Sequence, residues 1–275
     1  MHVHLPKPIH GWRAFVGEVG IIVLGVLIAL GFEQVVEELN WRERTRDAVS
    51  DLKSESENNY AIMAERATVQ PCIDAQLDRL MAHVLTGGQA ASNTVRSIDT
   101  QTMGGVAFRQ PVDRPFQDDV WRSLITDGTV AHLDQDGRQR MAQLYWQIES
   151  IRDLQKRGDA AVGELNVLLS PIPLDPATRG ALATTIAKQK FLGKVLTLDS
   201  VQGMAMLQSV GQDPQPGLVD NFLKTSGTFH FCEQQHLPLA NWRTLVAKEI
   251  RSEPGFGGGR SSRYRSLSLL PRTRF

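Results

Sequence analysis

Cysteine, tyrosine and surplus charge are what this chain has least of. Two cysteines, Cys72 and Cys232, stand among 275 residues. That excludes a disulfide-dense scaffold and leaves room for one long-range bridge in an oxidising compartment. Thirty Lys and Arg balance thirty Asp and Glu. The basic surplus of a dedicated nucleic-acid binder is therefore missing, and no nucleic-acid partner is expected. Aromatics make up 7% of the chain, with three Tyr. Strands favour aromatic and β-branched residues, so this composition suits long helices better than a β-sandwich. Catalytic signatures are missing as well. There is no G-x-S-x-G elbow and no H-E-x-x-H, and no pair of carboxylates stands apart from solvated helix faces. Nothing in the residues calls for a cofactor, and an enzymatic reading is unsupported.

What is present is an apolar run near the start, in "GEVGIIVLGVLIALGFEQ". Val19 to Phe32 is a stretch of 14 residues without a charge, closed by Glu18 and Glu33. As a helix it covers about 21 Å, short of a hydrocarbon core of about 30 Å. The flanks extend it. Ala14 to Val36 makes 23 residues, enough to span with some tilt. Trp12 and Arg13 stand at one end and Trp41 and Arg42 beyond the other, as interfacial anchors do. Apolar residues crowd every side, which a soluble amphipathic helix does not show. The small-x-small triplet Ala29-Leu30-Gly31 resembles a signal cleavage site, but helix-forming sequence runs straight through it. The reading is an uncleaved single-pass anchor. A cleaved signal and a buried core helix are the alternatives.

On a helix, Glu18, Ile22, Gly25, Ala29 and Glu33 fall along one stripe. Gly25 and Ala29 form a small-xxx-small pair, which lets two membrane helices approach closely. An ionisable group such as Glu18 seeks a partner or the headgroup zone. The stripe is a candidate face for self-association or for docking another membrane protein. The alternative is that Glu18 snorkels outward from one turn inside the interface. The Lys and Arg counts flanking the anchor nearly tie. The short acid-free leader favours a cytoplasmic N-terminus, with the body outside the cytoplasmic membrane.

The chain divides into a leader over 1–13, the anchor over 14–36, an α-helical extracytoplasmic domain over 37–252, and a tail over 253–275. Residues 37–69 read as a polar helix with a sparse apolar edge of Leu39, Leu52, Ile62 and Met63 and a Glu38–Arg42 pair. Pro71 is expected to end or kink it. Residues 89–114 read as a loop. A helix follows Pro115 and stops at Gly128, and Asp134 or Asp136 opens a longer one. Pro171 and Pro173 break that helix, and Asp175-Pro176 starts the next in N-cap–N1 order. Gly211 to Gly217 is a second break, with short helices near 217–225 and 239–250. The Gly, Ser and Arg bias of the tail predicts flexibility. The fold class is all-α, a transmembrane helix continuing into a helical bundle.

Few residues suggest ligand chemistry. "HLDQDG" superficially resembles a calcium loop, but His132 and Gln143 occupy the positions that need Asp and Glu. "HFCEQQH" places His230, Cys232 and His236 together, a weak metal set with no evident fourth ligand. A Cys72–Cys232 bridge uses the same sulfur more simply in an oxidising compartment, and two buried free thiols are the remaining option. His2, His4 and His10 lie on the leader and read as incidental.

The stretch from Gly11 to Glu55 resembles the opening of an uncharacterised group of bacterial single-pass membrane proteins. The features shared are Gly17-Glu18, the "GVLIAL" run of Gly25 to Leu30, and Trp41 before a charged helix. Residues 120–148 resemble their later segment. The likeness covers a quarter of the chain. It implies bacterial origin and membrane attachment, and it brings no activity. With the N-terminus in the cytoplasm, as the leader favours, the anchor would lie in the inner membrane and the domain in the periplasm.

Overall fold

The computed structural model describes residues 11–86, 107–111, 114–169 and 174–252. Its first element is one helix of 75 residues, α1, Trp12–Thr86. No glycine or proline interrupts the sequence between Phe32 and Gln70, so nothing there breaks the backbone hydrogen-bond ladder. Among the described residues there are six further α-helices. These are α2 (Asp119–Thr126), α3 (Gln135–Leu165), α4 (Pro176–Ser209), α5 (Leu218–Lys224), α6 (Gly227–Gln234) and α7 (Trp242–Ser252). Single 3₁₀ turns follow α2 (Thr129–His132) and α3 (Asn166–Leu169). The chain is all-α, as its composition suggests.

Pro71 lies inside α1 and does not end it. The proline has no N–H to give the Ala67 carbonyl, yet tertiary contacts hold both sides of the site. Thr68 O accepts Ala240 N at 2.9 Å, and Lys190 of α4 reaches Asp78 at 2.5 Å, about two turns beyond the proline. The expected sparse edge over 37–69 also needs correction. From Leu52 onward this is the most buried part of the helix. Its packing surface is made of Ala48, Ala61, Ala64 and Ala67 beside Tyr60 and Met63, with Asn59, Ser56 and Glu55 buried among them. Leu39 is exposed.

α4 is the central helix, packed against both α1 and α3. It runs antiparallel to α1. Its start lies by Val84, whose carbonyl takes Arg179, and its end by Tyr60, whose hydroxyl takes Gln208. Two glycines permit the close approach. A Cβ on Gly193 would meet Gln70 Nε2 at 2.2 Å, and one on Gly203 would meet Met63 Sδ at 2.6 Å. The α4 N-terminus is capped by Asp175, which accepts Thr178 N, with Pro176 at its first turn. Asp134 caps α3 in the same way through Gly137 N at 3.1 Å. Both follow the preference of Asp for this position.

Side-chain amides of α1 hold an extended strap against the bundle. Asn59 donates to Gln117 O at 2.7 Å and accepts its N–H at 2.8 Å. Gln76 does the same for Arg109, at 3.1 and 2.7 Å. Each carboxamide thus pairs with a peptide group as a neighbouring strand would, satisfying backbone that has no partner within a helix. The strap buries Phe108 and Phe116. It covers part of the expected loop over 89–114; the rest lies outside the described residues, as do the Pro171–Pro173 break and the tail.

At the end of the strap Asp118 is clasped by Arg152 at 2.9 Å and Arg122 at 2.7 Å. The Arg152 hydrogen bond, more than any other contact, holds this carboxyl below its ordinary value. A carboxylate lowered in this way stabilises the fold above its unfolded pKa, and that contribution disappears as pH falls through the lowered value. Urea midpoints are therefore expected to drop below about pH 4. Asp118→Asn should lower the midpoint at pH 7 and lower it by less at pH 3. An equal loss at both pH values would refute the ionic contribution.

Candidate functional site

The anchor portion of α1 stands free of the body. An 18-residue window in it has a mean hydropathy of 2.4 and is 0% buried. Every residue from Phe15 to Asn40 is exposed, including Ile21, Leu27 and Phe32. A helix this long and apolar can cross a membrane. Glu18, Ile22, Gly25, Ala29 and Glu33 lie within this exposed helix. A Cβ at Gly25 would meet nothing within 4 Å, so none of the described residues covers the face there.

Coverage begins at Trp41, and Thr45 is the first buried residue. The Trp41 indole stacks on His132, with ring centroids 4.0 Å apart and planes at 15°. The Arg44 guanidinium lies 5.3 Å from the same indole, and Trp41 Nε1 donates to Glu37 at 3.5 Å. Glu38 and Arg42 pair at 3.0 Å. His132 closes the 3₁₀ turn between α2 and α3. Asp127 begins that turn by accepting Thr129 N at 2.9 Å, the main cause of its lowered pKa. The "HLDQDG" motif is thus a stacking histidine followed by an N-cap, and Asp136 falls in the first turn of α3.

The sulfurs of Cys72 and Cys232 lie 2.04 Å apart, with Cα atoms at 6.0 Å. Cys232 sits on α6, a helix in the stretch between 225 and 239 to which the sequence assigned no element. Ser226 caps it through Phe229 N at 3.0 Å. His230 turns away from the sulfur: its Nε2 meets Lys224 O at 2.6 Å and its Nδ1 faces Glu233 at 3.5 Å. His236 lies past the end of α6 with φ of 50°. Among the described residues no group of three or more His, Cys, Asp or Glu is placed to hold a metal ion. His2, His4 and His10 lie outside the described residues.

One buried constellation escaped the sequence reading. Glu55, 3% exposed, reaches from α1 to the start of α2. There it accepts Val120 N at 2.8 Å and Trp121 N at 3.4 Å, and it also accepts the Tyr145 hydroxyl of α3. Burial, followed by the neighbouring Glu55, pushes the Tyr145 pKa upward, so the phenol stays protonated and donates. The Trp121 and Tyr145 rings stack at 5.2 Å and 3° beside it. One carboxylate therefore joins three helices and supplies the cap that Asp118 does not. The available signal was a glutamate whose helical neighbours at three and four residues are Asp51, Leu52, Asn58 and Asn59, none of them a cation.

A groove of about 590 Å³ opens between the end of α4, residues 213–217 and α7. Trp242, Val219 and Val246 form its floor, and Asp213, Arg243 and Arg251 its charged rim. Arg243 is held by Asp220 at 2.8 Å and lies over the Trp242 ring at 4.5 Å. No Ser, Cys or His lines it, so it contains no nucleophile–base pair. Comparisons with models of protein families, with curated proteins and with solved structures found no match.

Proposed function

We propose that this chain is a single-pass membrane protein that carries a helical interaction or sensing module outside the cytoplasm. The observation behind the reading is the unbroken course of α1 from a fully exposed apolar segment into the centre of the bundle. A signal peptide would be removed at a flexible small-residue site; here the triplet Ala29-Leu30-Gly31 lies within regular helix. The Cys72–Cys232 pairing suits an oxidising compartment and hence the periplasmic side of a bacterial inner membrane. The likeness of Gly17-Glu18, Gly25 to Leu30 and Trp41 to bacterial single-pass proteins points the same way. The deciding experiment is a reporter active only after export, fused at residue 50 or residue 250. Activity at both positions is expected in membranes that resist alkaline extraction. A stable but inactive fusion would overturn the topology.

The exposed stripe of Glu18, Ile22, Gly25, Ala29 and Glu33 is the proposed contact for a second copy or another membrane helix. Close approach at the small pair supplies van der Waals contact, and Glu18 supplies a polar group that gains from a partner. Replacing Gly25→Ile together with Ala29→Ile should abolish crosslinking in detergent. Unchanged crosslinking would remove this face from consideration.

A further inference from the structure

We propose that the near end of the body seats in the phospholipid headgroup layer of the bilayer that α1 crosses. The seat is made by Trp41 and the Thr129–His132 turn. This rests on the single-pass reading above and adds a surface that the anchor alone does not supply.

The argument begins with distance along a rigid element. Trp41 lies five residues beyond Val36, about 7–8 Å along a continuous helix. A headgroup layer is about 5–8 Å deep on each side of the hydrocarbon core. With no glycine or proline in between, the helix cannot fold the body away from the surface, and tilt only brings it closer. The first covered residue of α1 is therefore held at headgroup depth.

What covers Trp41 is, among the described residues, the extremity of the body. The strap and α2 descend along α1, from Gln117 beside Asn59 to the turn beside Trp41. α3 then climbs away, reaching Tyr145 beside Glu55. The turn is the point at which this hairpin reverses. Ala131 and His132 are exposed on it.

The chemistry of this end suits a phosphate-rich layer. An indole and an imidazole combine apolar faces with polar edges, the character of residues found at membrane interfaces. Arg44 approaches the Trp41 ring, and Arg138 Nη1 bonds Ala131 O at 3.3 Å, so two cations flank the exposed stack. Four of the nearby acids are engaged locally, while Glu43 and Asp47 are exposed. Glu37 takes Trp41 Nε1 and Glu38 takes Arg42, while Asp127 and Asp134 accept backbone N–H groups.

The test places an environment-sensitive fluorophore on the full chain in vesicles of phosphatidylethanolamine and phosphatidylglycerol. The Ala131→Cys variant carries the label at the tip. The Ala187→Cys variant carries it on exposed α4, near Lys190 and its partner Asp78, about 55 Å further along α1 than Trp41. Lipids bearing a nitroxide on the headgroup should quench the Ala131→Cys label several-fold more than the Ala187→Cys label. Equal, weak quenching of both labels in protein that co-floats with the vesicles would overturn the seat and leave the anchor intact. Protein that does not co-float would overturn both.

Discussion

Replacing Glu55→Leu is expected to destabilise the body by about 3–5 kcal/mol, the largest effect of any single side chain discussed. Two N–H groups of α2 and the Tyr145 hydroxyl bond to this carboxylate. Leucine removes their acceptor and leaves all three unpaired, two of them at buried contacts and one at a half-buried one. Each unsatisfied buried group costs about 1–3 kcal/mol, and the charge at a helix N-terminus is lost as well. Urea unfolding followed through the near-ultraviolet circular dichroism of the Trp121–Tyr145 stack isolates the body from the anchor helix. A companion measurement separates the hydrogen bonds from simple misfit. Tyr145→Phe removes one orphan donor, so in the Glu55→Leu background it should cost much less than it does alone. Additive losses would show that the carboxylate and the phenol do not act as a unit.

The second large effect concerns the sulfurs. Cys72→Ser with Cys232→Ser is expected to cost about 2–5 kcal/mol, because the bridge closes a very long loop and restricts the unfolded chain. The native state should loosen locally as well. α6 is a single short helix, and besides the bridge it is held by Thr228, whose hydroxyl reaches Gln110 O at 2.7 Å. Proteolysis within residues 225–240 should therefore accelerate before the bundle itself melts. Mass comparison of alkylated protein with and without reductant checks the premise: two reactive thiols in exported, unreduced protein would refute it.

The legible features were those with local causes. Asp134 and Asp175 stood before helical runs, as capping residues do, and Gly128 with φ of 80° ends α2 as a glycine there should. The exposed apolar run was equally plain, because a segment hydrophobic on every side needs no tertiary context. Tertiary contacts defeated the other readings. Pro71 stays in helix because α4 and residue 240 grip α1 on both sides of it. The body half of α1 looked polar because it packs through alanine and through amides that pair with distant backbone, as Asn59 and Gln76 do. Hydrophobic periodicity does not register such a surface. Glu55 was invisible for a related reason: its partners lie 65, 66 and 90 residues away.

An uninterrupted α1 also fixes an angle. Eighteen residues make about five whole turns, so Gly25 and Glu43 point in one direction, as do Ala29 and Asp47, and Glu33 and Asp51. These three acids are exposed. The shaft thus carries one keyway from the lipid into water, small-sided in the anchor and negative above it. Two parallel copies meeting at Gly25 and Ala29 would set this acidic line against itself, whereas a helix bearing Lys or Arg at matching heights would fit both halves at once. Inserting a single residue between Val36 and Trp41 would turn the two halves out of phase by about 100°. Their composition would be untouched, and a partner that reads both would be lost.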